Sequence, residues 1–359
     1  MKAVLIGVGQ AGGKLTQRMA EFDAKMGFDA IQGALAVNSA SADLQSLTLD
    51  TVLIGQERVK GHGVGGDNEM GAKIMDEDAT EVMDALDGRI TSEAEALFIV
   101  AGLGGGTGSG GAPVLARHLK RIYDIPVYVL GVLPGRGEGS LYQANAGRSL
   151  KTVAREADAV LLIDNDAWHA SGESVEEGFS KINENIAQRV GLLLAAGEVT
   201  EGVGESVVDS SEVINTLRGG GIAALGYASA EASPDASENL TVITSVARNA
   251  LLTGSSLPNA VEAEAALLVI AGKPDRLSRK GVEKARRWLE DETGSMQVRG
   301  GDFPLESDRI AALVLVSGVE RSPRLNEFME RAKTAHESRP QKRADPAAAF
   351  KNDELDDLF

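Results

Sequence analysis

LFIVAGLGGGTGSGGAP, residues 97–113, is an apolar run that breaks into seven glycines within ten residues. Leu97 to Ala101 read as a buried strand. The apolar spacing of 111–123 (GAPVLARHLKRIY) reads as a helix, with Pro113 in its first turn. Between them Gly102, Gly104, Gly105, Gly106, Gly108, Gly110 and Gly111 crowd around Thr107 and Ser109. Such a loop lets several backbone amides converge on phosphate oxygens at positive φ, with a hydroxyl added.

Outward from this loop the same arrangement recurs twice. KAVLIGVGQAGGKL (2–15) is again a strand opening through glycines into a helix, and GHGVGGDN (61–68) follows the apolar run 52–54. One glycine loop is often an ordinary tight turn. Three, each after a strand, point to a polyphosphate held from several sides. Gly7, Gly9 and Gly12 match a dinucleotide fingerprint, but the strand that should end in a ribose-binding acid ends in Asn38. A nicotinamide oxidoreductase is therefore the weaker reading. A Walker A loop is excluded, because Gly13 holds the lysine's place and Leu15 offers no hydroxyl.

The surrounding pattern is α/β. Apolar runs at 3–6, 33–37, 52–54, 97–101, 126–133 and 159–163 are short and nearly continuous, as buried parallel strands are. With helices between most of them they imply a doubly wound parallel sheet. The boundaries read as a nucleotide-binding domain over 1–173, a long central helix and connecting loop over 174–205, and a second α+β domain over 206–336. Ser174 is the expected cap of the long helix, with Glu176 and Glu177 in its first turn. In the second domain strands are expected at 221–229, 265–271, 296–299 and 311–317, with helices near 238–253 and 278–291. Residues 337–359 read as a linker and acidic tail, either solvated or a docking peptide for a partner protein.

Composition narrows the function further. The 359 residues carry a formal charge of −17, which opposes nucleic acid or an anionic membrane as partner. Arginine outnumbers lysine and aromatics are 4%, a surface suited to high ionic strength. There is no cysteine, and four scattered histidines make no metal cluster. No apolar run nears the roughly 20 residues of a membrane helix. A cytoplasmic protein is the natural reading.

GQAGG at 9–13 and GGGTGSG at 104–110, in this order and separation, resemble the tubulin/FtsZ family of GTPases over nearly the whole chain. Gln10 and Ala11 look more like tubulin, while the length and acidic tail look more like FtsZ. That mixture resembles the archaeal CetZ group, implicated in cell shape. The resemblance implies that Gly9, Gln10, Ala11, Gly12, Gly13 and Lys14, with Gly104, Gly105, Gly106, Thr107 and Gly108, hold the phosphates of GTP or GDP. Asn38 joins that set, and Gly66, Asp67 and Asn68 close over the terminal phosphate. Glu138 would bind the ribose, Asn165 would read the guanine edge, and Phe179 and Asn183 would stack on the base and hydrogen-bond to it. An asparagine amide offers the donor and acceptor that guanine needs, and flipped it would suit adenine. Mg2+ would enter on the nucleotide phosphates.

The catalytic group is sought in SVVDSSEVINTL, 206–217. Asp209 and Glu212 match the acidic pair that in this family reaches the neighbouring subunit's nucleotide. Three apart at a helix start, they share a face and would position water at the γ-phosphate. Equally, Asp209 would cap that helix, with Glu212 completing a capping box. Head-to-tail filaments would then hydrolyse GTP at subunit junctions; a GTP-binding regulator that does not assemble is the alternative. Four departures bear on hydrolysis and filament stability: PGRGEG lacks the family's phenylalanines, Tyr142 replaces an arginine, Val207 replaces an asparagine, and the insertion AAGEVTEGVGE lengthens the approach to the acidic loop.

Overall fold

The computed structural model describes residues 1–168, 175–196 and 208–338. The cap expected at Ser174, the position of Val207 and the tail beyond 338 lie outside the described residues, as do the side chains of Glu176 and Glu177 in the first turn of the long helix.

The parallel half comprises β1 (Ala3–Val8), β2 (Ile31–Asn38), β3 (Asp50–Leu53), β4 (Ala96–Gly102), β5 (Val127–Leu133) and β6 (Ala159–Asp164). Around it run α1 (Gly9–Met26), α2 (Ser41–Gln45), α3 (Gln56–Val59), α4 (Asn68–Glu77), α5 (Ala79–Leu86), α6 (Thr107–Ile122) and α7 (Ser140–Glu156). Then come α8 (Val175–Ala196), α9 (Ser210–Leu217), β7 (Ile222–Glu231), α10 (Asn239–Leu252), β8 (Glu262–Gly272), α11 (Arg279–Thr293), β9 (Gln297–Pro304), β10 (Arg309–Arg321) and α12 (Pro323–Glu337). Each expected strand is present, most of them longer than the apolar run that marked it.

All ten strands form one sheet in the order β3-β2-β1-β4-β5-β6-β7-β10-β8-β9. β1 to β7 run parallel, while β10 is antiparallel to both β7 and β8. The second half therefore extends the first sheet through a short β6–β7 seam, Val160 with Ile222 and Leu161 with Ala223. Alternation along β1 feeds two cores: Val4, Ile6 and Val8 face one layer of helices, Ala3 and Leu5 the other. The first core runs on to Val314 of β10 and the second to Leu315, so hydrophobic burial is continuous across the seam.

Two local expectations need correcting. α6 begins at Thr107, so Pro113 lies in its interior rather than in its first turn. Proline cannot donate to the carbonyl four residues back, and Ser149 Oγ on α7 donates to that Ser109 oxygen at 2.7 Å instead. The chain before residue 337 also ends in a full helix, α12, which sequence reading left unassigned.

Candidate nucleotide site

β1 and β4 deliver their glycine loops to the same place, the carboxyl ends of the parallel strands. Gly9 turns at φ +75°, and a Cβ there would meet the Gly108 nitrogen at 2.9 Å, so the two loops interlock. α1 and α6 start from these loops, and neither first turn is capped by a side chain or holds an acid. Their orphan N–H groups and positive dipole ends are thus free to receive an anion. Asn145 Nδ2 donates to Gly66 O at 2.8 Å and Gly104 O at 3.1 Å, fastening the third glycine loop to the second. Ser39 and Thr107 share a buried hydroxyl hydrogen bond of 2.8 Å.

The loops border a cavity of about 1140 Å³. Of the expected residues, Gly9, Gln10, Ala11, Lys14, Asn38, Gly66, Gly104, Gly105, Gly106, Thr107, Gly108, Glu138, Asn165, Phe179 and Asn183 line it. At the far end from the phosphate loops, Glu138 Oε1 accepts from Gly135 N at 2.8 Å and from Asn165 Nδ2 at 3.4 Å. Phe179 and Asn183 stand one turn apart on α8, and Phe179 is 45% exposed, an aromatic face left open toward the cavity.

Four expected residues stand behind the lining rather than in it. Gly12 is buried where a Cβ would come within 2.1 Å of Val100 O, so it serves the approach of α1 to β4. Gly13 packs against Leu47 and Ala36. Asp67 caps α4, accepting from Glu69 N and Met70 N at 3.0 Å each. Asn68 is buried and accepts from Arg148 at 3.3 Å. The motif brought all four to the neighbourhood; backbone packing and capping engage them in support.

Asp43 was missed. It accepts from Gln10 Nε2 at 2.9 Å and from Asn38 Nδ2 at 3.0 Å, so one carboxylate sets two cavity amides. Nothing local in SADLQ marks it, because its partners lie on two other elements.

Asp209 and Glu212 are not at this cavity. Asp209 is the N-cap of α9, its Oδ1 accepting from Glu212 N at 3.0 Å and Ser211 Oγ at 2.6 Å. The Ser211 hydroxyl, followed by the Glu212 and Ser211 amides, holds its carboxyl below the ordinary range. The neighbouring Ser210 Oγ donates to Glu95 Oε1 at 2.5 Å, and Glu95 precedes β4 at the amino end of the parallel strands. The cavity and the acidic helix start therefore occupy opposite ends of one sheet.

Residues 2–173 match the tubulin/FtsZ family GTPase domain, and residues 172–334 match the C-terminal domain of tubulin-like CetZ. The chain belongs to the CetZ group of the tubulin/FtsZ family. It is 69% identical to tubulin-like protein CetZ2 of Haloferax volcanii over the full length of both chains. CetZ1 of the same organism is 49% identical over 94% of this chain and 93% of its own. Among solved structures, the GTPγS-bound protofilament of Haloferax volcanii CetZ2 superposes with a TM-score of 0.91, covering 94% of this chain and 99% of that one at 69% identity. The GDP-bound CetZ1 monomer gives 0.86 at 50% identity, over 94% and 100% of the two chains. The CetZ fold thus accounts for the N-terminal parallel half and the mixed C-terminal half carried by one sheet. No helix among the described residues is long and apolar enough to cross a membrane.

Proposed function

We propose that the protein binds GTP in this cavity, polymerises head to tail, and hydrolyses GTP at subunit junctions as part of a cytoskeleton that controls cell shape. The observation that carries the reading is the separation of the two half-sites: phosphate cavity at one end, acidic helix start at the other. Head-to-tail stacking brings one subunit's acids onto the next subunit's nucleotide, and such contacts extend into open filaments. The solved structure of CetZ2 as a GTPγS-bound protofilament supports it.

In this reading the α1 and α6 amides take the phosphate charge, with Gln10 and Lys14 beside them. Glu138 takes the ribose, Asn165 and Asn183 the guanine edge, and Phe179 the face of the base. Asp209 and Glu212 of the adjoining subunit orient the water that attacks the γ-phosphorus; GDP leaves and the proton passes to phosphate. Among the described residues no three carboxylates or histidines gather into a metal cluster, and Asp43 is engaged by two amides. A divalent cation would draw its ligands chiefly from phosphate and water, where it offsets phosphate charge. The acidic tail is either a solvated segment or a docking peptide for a partner protein.

The test is phosphate release and light scattering with GTP and Mg2+ across protein concentration. Turnover per molecule should rise with concentration as scattering appears. Constant turnover without scattering supports a non-assembling GTP-binding regulator instead.

A further inference from the structure

The base end of the cavity is pinned from behind by a helix distant in sequence. Arg324, in the first turn of α12, is 4% exposed and grips Asp164, 1% exposed, with two parallel bonds. Nε donates to Oδ2 at 2.7 Å and Nη2 to Oδ1 at 2.9 Å; Nη2 also reaches Asp166 Oδ2 at 3.4 Å. Asn165 is therefore held between two carboxylates that share one guanidinium. Further along α12, Glu327 accepts from Arg136 Nε and Nη2 at 2.9 and 2.8 Å. Arg136, two residues before Glu138, donates from its backbone N to Asp166 Oδ2 at 2.8 Å. Both loops that carry the base-end residues are thus tied to one helix. On the other side, Trp168 stacks on Arg189 of α8 at 4.3 Å.

A guanidinium fork fixes the orientation of a carboxylate as well as its distance. A buried pair of this kind adds little stability over an apolar pair of similar volume, so its value here is orientation. The residues that line the cavity fall between Val8 and Ile186. α12 is the route by which the end of the chain reaches it. Asn165 Nδ2 is turned toward Glu138, which leaves its Oδ1 to accept from a base N–H. At ring N1 and C2 guanine presents two adjacent donors, N1–H and N2–H2, whereas adenine presents an acceptor at N1 and has only its 6-amino donor beside it.

We propose that Arg324 is a positioning residue for base recognition, holding 164–166 so that the Asn165 amide presents its acceptor to guanine. The proposal rests on the reading of Asn165 as the residue that meets the base. It makes discrimination between guanine and adenine depend on the C-terminal helix.

The test is equilibrium binding of GTP and of ATP, beside a thermal midpoint, for Asn165→Ala, Arg324→Lys and the paired Asp164→Asn with Arg324→Met. Arg324→Met alone would leave Asp164 buried without its counter-charge, so the pair is changed together. The GTP-to-ATP affinity ratio should fall roughly tenfold in the paired variant, the scale on which supporting contacts act. Arg324→Lys, which keeps the charge but loses the fork, should fall between it and the wild type. Asn165→Ala should lose most of the ratio. An unchanged ratio in Arg324→Lys and in the paired variant, beside a collapsed ratio in Asn165→Ala, overturns the role of Arg324 and leaves the base reading standing. An unchanged ratio in Asn165→Ala overturns both. A lowered midpoint with an unchanged ratio marks a merely structural pair and also overturns the proposal. If the paired variant fails to fold, the Lys variant decides.

Discussion

Asp209 serves two ends that single substitutions can separate. As N-cap it satisfies the Glu212 amide; as a carboxylate at the exposed end of the sheet it is the proposed water-orienting acid. Asparagine caps nearly as well as aspartate, whereas alanine costs about 1 kcal/mol. Asp209→Asn should therefore keep denaturant stability near wild type, and Asp209→Ala should lose about that amount. Both should lose assembly-linked hydrolysis; retention in Asp209→Asn would reduce the residue to a cap. Its carboxyl is held below the usual value near 3.9, so the ionised cap contributes fully above that value and is lost as pH falls through the lower folded one. The stability difference between wild type and Asp209→Asn should accordingly be constant near neutrality and shrink only as pH falls through the ordinary carboxylate range and then the lower folded value. Glu212→Ala should leave GTP affinity near normal while slowing turnover and lengthening filament lifetime, read by binding, phosphate release and scattering decay.

α6 carries both the phosphate loop and a proline, and the two are reconciled by a neighbour. The Ser109 carbonyl that Pro113 leaves without a helical donor receives the Ser149 hydroxyl at 2.7 Å within buried surroundings. Ser149→Ala should cost about 1–3 kcal/mol, the penalty of an unsatisfied buried acceptor, measured by urea denaturation. An unchanged midpoint would mean that the helix carries the proline without help. The local pattern GAPVLARHL correctly announced a helix. It misplaced the start by four residues, because a glycine-rich first turn has no apolar periodicity to read.

Across the whole molecule, one sheet separates the cavity from the acidic helix start, and in the proposed reading a second copy joins them. Subunits lacking Glu212 but able to bind nucleotide should be complemented by subunits with intact acids and a blocked cavity. Gly108→Val is suited to the block, since even a Cβ there would come within 2.8 Å of Gly102 O. Mixed, the two variants should release phosphate faster than the sum of each alone. A strictly additive rate would place the catalytic acids within a single chain.

What the sequence by itself determined was local: strands from continuous apolar runs, loops from glycine clusters, and the family from GQAGG and GGGTGSG. Each of these signals spans a dozen residues or fewer, the range over which local backbone sterics and hydrogen bonding act. Fifteen of the nineteen expected binding residues line the cavity; Asn38, Glu138, Asn165, Phe179 and Asn183 among them came through the family resemblance. Tertiary structure alone decided that Gly12 would be a packing contact, since Val100 O reaches it from β4. It also joined Arg324 to Asp164 across 160 residues and set Asp209 at the end of the sheet opposite the cavity. Periodicity reports which face of an element is buried; what meets that face depends on strand order and crossovers, which no local pattern encodes.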